Sequence, residues 1–117
     1  MRECTDVEIA WLAGLLEGEG YFQAGIPSRP KRVMIVVKMC DEDVVSKVAS
    51  IFETKVREGK AENDRCNVPY TTQCSHNKAA DVMRAIRPFM GARRKAKIDE
   101  CLELNKGVKR SKRSYGR

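Results

Sequence analysis

Residues 5–20, TDVEIAWLAGLLEGEG, constrain this chain more than any other stretch. Thr5 and Glu8 stand three apart in the S/T-x-x-E pattern, in which a hydroxyl and a carboxylate each accept the other residue's backbone N–H. A helix is therefore expected to begin here. Ile9, Leu12, Ala13 and Leu16 recur at i, i+3, i+4 and i+7 and make one apolar face. Trp11 and Leu15 make a second stripe. Ala10, Gly14 and Gly18, spaced four apart, make a third of small residues. A helix apolar nearly all the way round needs cover on more than one side, and small side chains let another helix backbone come close. A chain of 117 residues holds one modest core. A second subunit is the natural source of the remaining cover, with Ala10, Trp11, Ala13, Gly14, Glu17 and Gly18 as its candidate contacts.

Gly18 and Gly20 end this helix, and from Tyr21 the period changes to two. Phe22, Ala24 and Ile26 alternate with Tyr21, Gln23 and Gly25, the mark of a strand with one buried face. Residues 27–30, PSRP, read as a loop. Residues 32–39 read as a second strand with Val33, Ile35 and Val37 on one face. Asp41 is placed to cap a helix whose apolar side is Val44, Val45, Val48, Ile51 and Phe52. Residues 55–60 and 70–75 are expected to be strands joined by a polar loop, 77–89 a helix ending at Pro88, and 95–104 a last helix. The order αββαββ followed by helix predicts an α+β fold: a four-stranded antiparallel sheet with helices on one face and the other face open to water or a ligand. The domain is expected to span 1–106, with a tail at 107–117.

The charge is uneven. The last eleven residues hold Lys109, Arg110, Lys112, Arg113, Arg117 and no acid, which accounts for most of the net charge of +7. In the body, Arg84, Arg87, Arg93, Arg94, Lys95 and Lys97 fall within one short stretch. A basic cluster with a basic tail suits a polyanion, and an inert solubilising tail is the alternative. The first ten residues include Arg2, Glu3, Asp6 and Glu8 and contain no apolar h-region, and no run approaches membrane-spanning length. A cytoplasmic or host-compartment protein that is not secreted and has no membrane partner is expected. The five cysteines form no C-x-x-C pair and His76 is the sole histidine, which disfavours a structural zinc site. Packed free thiols are the expected state, with a hairpin bridge between Cys66 and Cys74 as the alternative.

The segment Leu12-Ala13-Gly14-Leu15-Leu16-Glu17-Gly18-Glu19-Gly20 resembles the motif of the LAGLIDADG homing endonucleases. Leu12 to Leu15 and Gly20 are identical to it, Leu16 replaces Ile, Glu17 and Glu19 replace the two Asp, and Gly18 replaces Ala. The context also matches: a buried helix ending in acids, then a strand. The resemblance extends over residues 7–105. It implies a homodimer joined through the motif helix, a double-stranded DNA partner, and metal-dependent phosphodiester hydrolysis. It implies Glu19 as metal ligand and catalytic acid, Gly20 contributing its carbonyl, and Mg²⁺ or Mn²⁺ as the ion. Two motif-helix C-termini bring two acids and the negative ends of two helices together, a repulsion that hard cations relieve. The family's basic residue after the Pro-Phe end of the penultimate helix corresponds to Arg93, with Arg94 and Lys95 nearby. Arg holds phosphate or water and is a poor proton-transfer group. A Gln common at the end of the second strand is replaced by Met39, and Lys38 beside it is the candidate substitute.

A four-stranded sheet of this kind can lie in a major groove with alternate side chains reaching the bases. The expected DNA-facing set is Tyr21, Gln23, Arg32 and Lys38 on the first hairpin and Lys55, Arg57, Thr71, Gln73 and Ser75 on the second. Arg29, Lys31, Arg94 and Lys95 are expected to reach phosphates. Met34 and Val36 fall on the same face and fit it only by meeting thymine methyls. The function implied is a sequence-specific DNA endonuclease making staggered breaks. A cleavage-deficient DNA-binding regulator of the same fold and an RNA maturase are the alternatives.

Overall fold

The computed structural model describes residues 1–60 and 68–106; the tail at 107–117 and Cys66 lie outside them. Helix α1 spans Asp6–Glu19. Thr5 Oγ1 accepts the Glu8 N–H at 3.1 Å and Glu8 Oε1 accepts the Thr5 N–H at 2.9 Å, which is the expected reciprocal cap. Arg2 Nη2 lies 2.9 Å from Glu8 Oε2. The Arg2 bond first, then the Thr5 N–H, holds the Glu8 carboxyl at about 2, below its ordinary 4.5. This clamp stabilises the folded chain above the ordinary value, and that stabilisation is lost as pH falls from 4.5 toward 2.

Four strands form: β1 (Gly20–Ile26), β2 (Arg29–Met39), β3 (Arg57–Glu58) and β4 (Tyr70–Ser75); the expected alternation holds on β2 from Val33 and on β4, whereas on β1 Ala24 and Ile26, expected inward, are only half-buried and both residues of β3 are exposed. They form one antiparallel sheet in the order β1-β2-β4-β3. Helices α1, α2 (Glu42–Phe52), α3 (His76–Ile86) and α4 (Ala92–Asn105) all pack against its strands. Phe22, Val33, Ile35 and Val37 meet Leu12 and Leu16 in a core where each is essentially sealed from water. At about 25 cal/mol per Å² of apolar surface removed from water, this layer is the main source of stability. Cys74 is a buried free thiol in the same layer, pushed up to about 12 by burial.

The structure differs from expectation at several junctions. The loop contracts to Pro27 and Ser28, because β2 already begins at Arg29. Gly25 permits this: its φ is +82°, and an added Cβ would lie 2.3 Å from the Pro30 carbonyl oxygen, where the register shifts between Ala24 and Ile26. Asp41 caps α2 with its backbone carbonyl and makes no side-chain cap bond; Asp43 Oδ1 takes the Val44 N–H instead, at 2.9 Å. Strand β3 is two residues long, because only Arg57 and Glu58 find partners on β4. The helix expected over 77–89 starts at His76 and stops at Ile86, and Arg87–Phe89 form a tight 3-10 turn around Pro88, which has no N–H for an α-helical bond. The last helix begins at Ala92, three residues before the expected 95.

Glycine at position 20 is needed for space. Its backbone is ordinary extended chain, with φ −82° and ψ 149°, and its N–H donates to the Leu16 carbonyl. An added Cβ would stand 2.8 Å from that carbonyl oxygen and 2.9 Å from Leu16 Cδ2. Gly20→Ala is therefore expected to destabilise the fold by about 1–3 kcal/mol through overpacking. Urea unfolding measures this, and an unchanged midpoint would refute the close-approach argument.

Candidate acidic site and nucleic-acid interface

Helix α1 passes into β1 with no loop, so its last residue, Glu19, is exposed beside the first rung of the sheet. Unpaired carbonyls give a helix C-terminus partial negative charge, and Glu19 adds a full one there. Gly20 pairs with Val37, so Lys38 stands one step further along, at the sheet end next to Glu19. Lys38 is exposed on the open face, across from Thr71, which pairs in turn with Arg57. Met39 packs at the edge of the core, which leaves Lys38 as the polar group at this strand end.

The open face is ordered in rows. Tyr21, Val36 and Gln73 form one, and Gln23, Met34 and Ser75 the next. Tyr21, Lys38, Arg57 and Gln73 are exposed, and Gln23, Arg32, Thr71 and Ser75 half-buried. Arg29 and Lys31 are exposed strand residues at the start of β2 and not loop residues, while Lys55 is exposed just before β3. Strand pairing thus puts Tyr21, Gln23, Lys38, Arg57, Thr71, Gln73 and Ser75 on one side of the sheet.

At the other flank of the acid, α1 and α4 are joined. Glu17 Oε1 accepts the Gly91 N–H at 2.8 Å, and Glu17 Oε2 lies 3.9 Å from Arg94 Nε. Arg94 sits 5.4 Å from the Phe22 ring centroid with only 14% of its side chain exposed. Two of the expected site residues are thus engaged within the chain. Glu17, expected at a subunit interface, is engaged within its own chain because it supplies the acceptor that α4 lacks at its N-terminus. Arg94, expected on DNA phosphates, is drawn inward by Glu17 and the Phe22 ring. Ala13, also expected at the interface, is buried in its own core, and Trp11 is half-buried with the Lys47 ammonium 4.1 Å over its ring. Ala10, Gly14 and Gly18 remain exposed, and an added Cβ at either glycine would meet nothing within 4 Å.

Arg93 is exposed in the first turn of α4. With Lys97, one turn on, it lines a cavity of about 370 Å³ together with Tyr21, Phe22, Arg94 and Glu100. Lys95 is half-buried and is not among the lining residues. In the sequence Lys97 stands out only as a member of the basic stretch, and Glu100 does not stand out at all. The signal was present in the four-residue spacing of Arg93 and Lys97, but it becomes visible only when α4 is started at Ala92. Tyr21 links the two halves of the site: it lies two residues from Glu19 and shares the cavity with Arg93.

Among the described residues no group of three or more His, Cys, Asp or Glu collects in one place. Glu19 offers one exposed carboxylate and Gly20 an adjacent carbonyl. That all-oxygen set fits Mg²⁺ or Mn²⁺, because Mg²⁺ retains several waters and is held by one or two carboxylates together with phosphate oxygens.

No family model and no curated protein matches this sequence. Solved structures do. The homing endonuclease I-CvuI in complex with the I-CreI target in the presence of Mg, its DNA not cleaved, superposes with a TM-score of 0.60 at 17% identity over 86% of this chain and 67% of that one. The same enzyme with its own target in the presence of Ca gives 0.55 at 16% identity, over 90% and 86%. The archaeal intron-encoded homing endonuclease I-Vdi141I complexed with DNA gives 0.58 at 14%, over 94% and 89%. This is the homing-endonuclease fold. At such identities the likeness is one of architecture, and chemistry has to be argued from the residues of this chain.

The Glu17 junction can be tested without any activity. Glu17→Ala is expected to speed hydrogen exchange at the Gly91 amide and to lower stability by about 1 kcal/mol, with Glu17→Gln in between. Exchange measured by NMR that stays unchanged in Glu17→Ala would show that the bond does not hold α4.

Proposed function

We propose that this chain is a homodimeric, sequence-specific DNA endonuclease of the homing type, making staggered double-strand breaks by metal-dependent phosphodiester hydrolysis. The observation that carries this reading is the exposed acid Glu19, set where α1 runs directly into an open sheet face bearing Lys38, Arg57, Gln23 and Gln73. The neighbours of the same fold are complexes with DNA, two of them studied with Mg or Ca. Double-stranded DNA is the proposed partner, and an RNA substrate is the competing outcome of a binding test.

In this reading Glu19 and the Gly20 carbonyl hold Mg²⁺ or Mn²⁺, which when bound stabilises charge developing on the phosphate oxygens. Lys38 and Arg93 approach the scissile phosphate from opposite sides of Tyr21 and offset its charge. Arg93 can grip a phosphate through two N–H groups and remains protonated, so it positions and does not exchange protons. The open sheet fixes where the acid falls along the duplex. Incubation with Mg²⁺ and a randomised duplex library, followed by sequencing of ends, is expected to give staggered cuts. Glu19→Gln is expected to abolish cutting with binding retained. Full cleavage by Glu19→Gln would sink the role of that acid, and wild-type binding without cutting would favour a regulator.

The dimer is proposed to form through the exposed Ala10, Gly14 and Gly18 of α1, flanked by Val7, which is 78% exposed. Two such stripes allow close helix approach and bring two Glu19 residues together. Gly14→Leu leaves the protomer interior untouched, since nothing lies near that position. Sedimentation is expected to show a wild-type dimer and a folded Gly14→Leu monomer. A wild-type monomer at micromolar concentration would count against this interface.

A further inference from the structure

On the open face β2, the central strand between β1 and β4, carries Met34 and Val36 between Arg32 and Lys38, and two successive rows repeat one combination. Gln73 on β4 stands beside Val36 on β2, and Gln23 on β1 stands beside Met34 on β2. Val33, Ile35 and Val37, which alternate with these, are sealed in the core, whereas Val36 and Met34 are half-buried on the side of the exposed Gln73. Apolar surface on a face turned to water is stabilised by a partner that covers it. The carboxamide beside it carries one acceptor and one donor group in a plane. The two side chains of each pair are held about 4.8 Å apart, the spacing of neighbouring strands.

Resting on the DNA-cutting reading above, we propose that these two rows each read one A·T pair, the Gln bonding adenine and its apolar neighbour packing on the methyl of the paired thymine. Adenine presents an N7 acceptor and an N6 donor to the major groove, which a carboxamide matches with two bonds, and thymine alone presents a methyl group. Both belong to one base pair and lie side by side across the groove, as the Gln and the apolar side chain lie side by side across two strands. A G·C pair at the same place meets the carboxamide with two acceptors and offers the apolar side chain a polar edge.

The rows also set spacing and polarity. They are two residues apart on β2, about 6.8 Å, close to two base steps of about 3.4 Å each. The two A·T pairs are therefore separated by one base pair. Gln73 flanks the central strand on its β4 side and Gln23 on its β1 side. The two adenines consequently lie on opposite DNA strands, and one strand reads A-N-T or T-N-A within each half-site.

Selection of binding sites from a randomised duplex library by the wild-type protein tests this directly, with Ca²⁺ present so that no cutting is required. The expected half-site contains two A·T pairs one apart with adenines on opposite strands. Replacing either thymine by uracil, which lacks only the methyl, is expected to weaken binding about four-fold. Gln73→Ala is expected to relax the first position and leave the second intact, with an unchanged melting temperature. A selected site with G·C at either position, or uracil substitution without effect, overturns the proposal while leaving a DNA-binding protein. Recovery of no preferred duplex overturns the DNA reading itself.

Discussion

The close approach of Gly20 to the Leu16 carbonyl governs the rest of the molecule. It lets the chain leave helix α1 and enter strand β1 in a single step, so the helix and sheet cannot pivot on a loop. Leu16 on one side of the junction and Phe22 on the other are both sealed in the core. The acid between them is left at the rim, outside the apolar layer and fixed by it. A loop here would release Glu19 from the sheet register, and the position of its carboxylate relative to Lys38 would no longer be set by strand pairing. Glu17, two residues back, fastens the same rim to α4 through the Gly91 N–H. Rigid placement of this kind holds the acid at a fixed point relative to the strands.

The charges divide into those that hold the fold and those left over. Arg2 is engaged with Glu8, Arg87 bonds Asp99 through two nitrogens at 2.7 and 2.8 Å, and Arg94 leans on Glu17 and Phe22. Lys38, Arg57 and Arg93 are exposed and stand on or beside the open face. These are the cations that a polyanion would meet, and their exposure means that little desolvation opposes the encounter. Nearest neighbours along α4 point in different directions, so Arg93 lines the cavity with its side chain exposed while Arg94 is largely covered.

How much of this was legible in the sequence follows from the range of the interactions. The cap of α1 is formed by residues three apart, and Thr5 and Glu8 announce it. The faces of β1 and β2 follow from a period of two, and the register bears out every assignment of Phe22, Val33, Ile35 and Val37 to the core. The start of α4 was misplaced because no local residue caps it: Gly91 has no side chain, and the acceptor comes from Glu17, distant in sequence. For the same reason nothing near Glu17 in the sequence signals its bond to Gly91. Strand β3 was overextended because its length depends on where β4 offers partners. The end of α3 was placed at the proline, whereas the chain tightens before it, at Arg87. Of the site, the acid and the open sheet face were legible, while the Arg93–Lys97–Tyr21 cavity was not, because it depends on two elements meeting.

The alternation of the sheet separates two demands that α1 must meet together. On β1, β2 and β4, side chains pointing one way build the core and those pointing the other way face outward, so a change at Gln23, Val36 or Gln73 leaves Phe22, Ile35 and Cys74 undisturbed. The outward face can change while the fold stays constant. Helix α1 has no such freedom. Leu12 and Leu16 bind it to the core, Glu17 binds it to α4, Ala10, Gly14 and Gly18 leave its third side bare, and Glu19 closes it. Half of the positions on that helix answer to different neighbours or faces, which is why a short stretch of sequence specifies so much of the architecture.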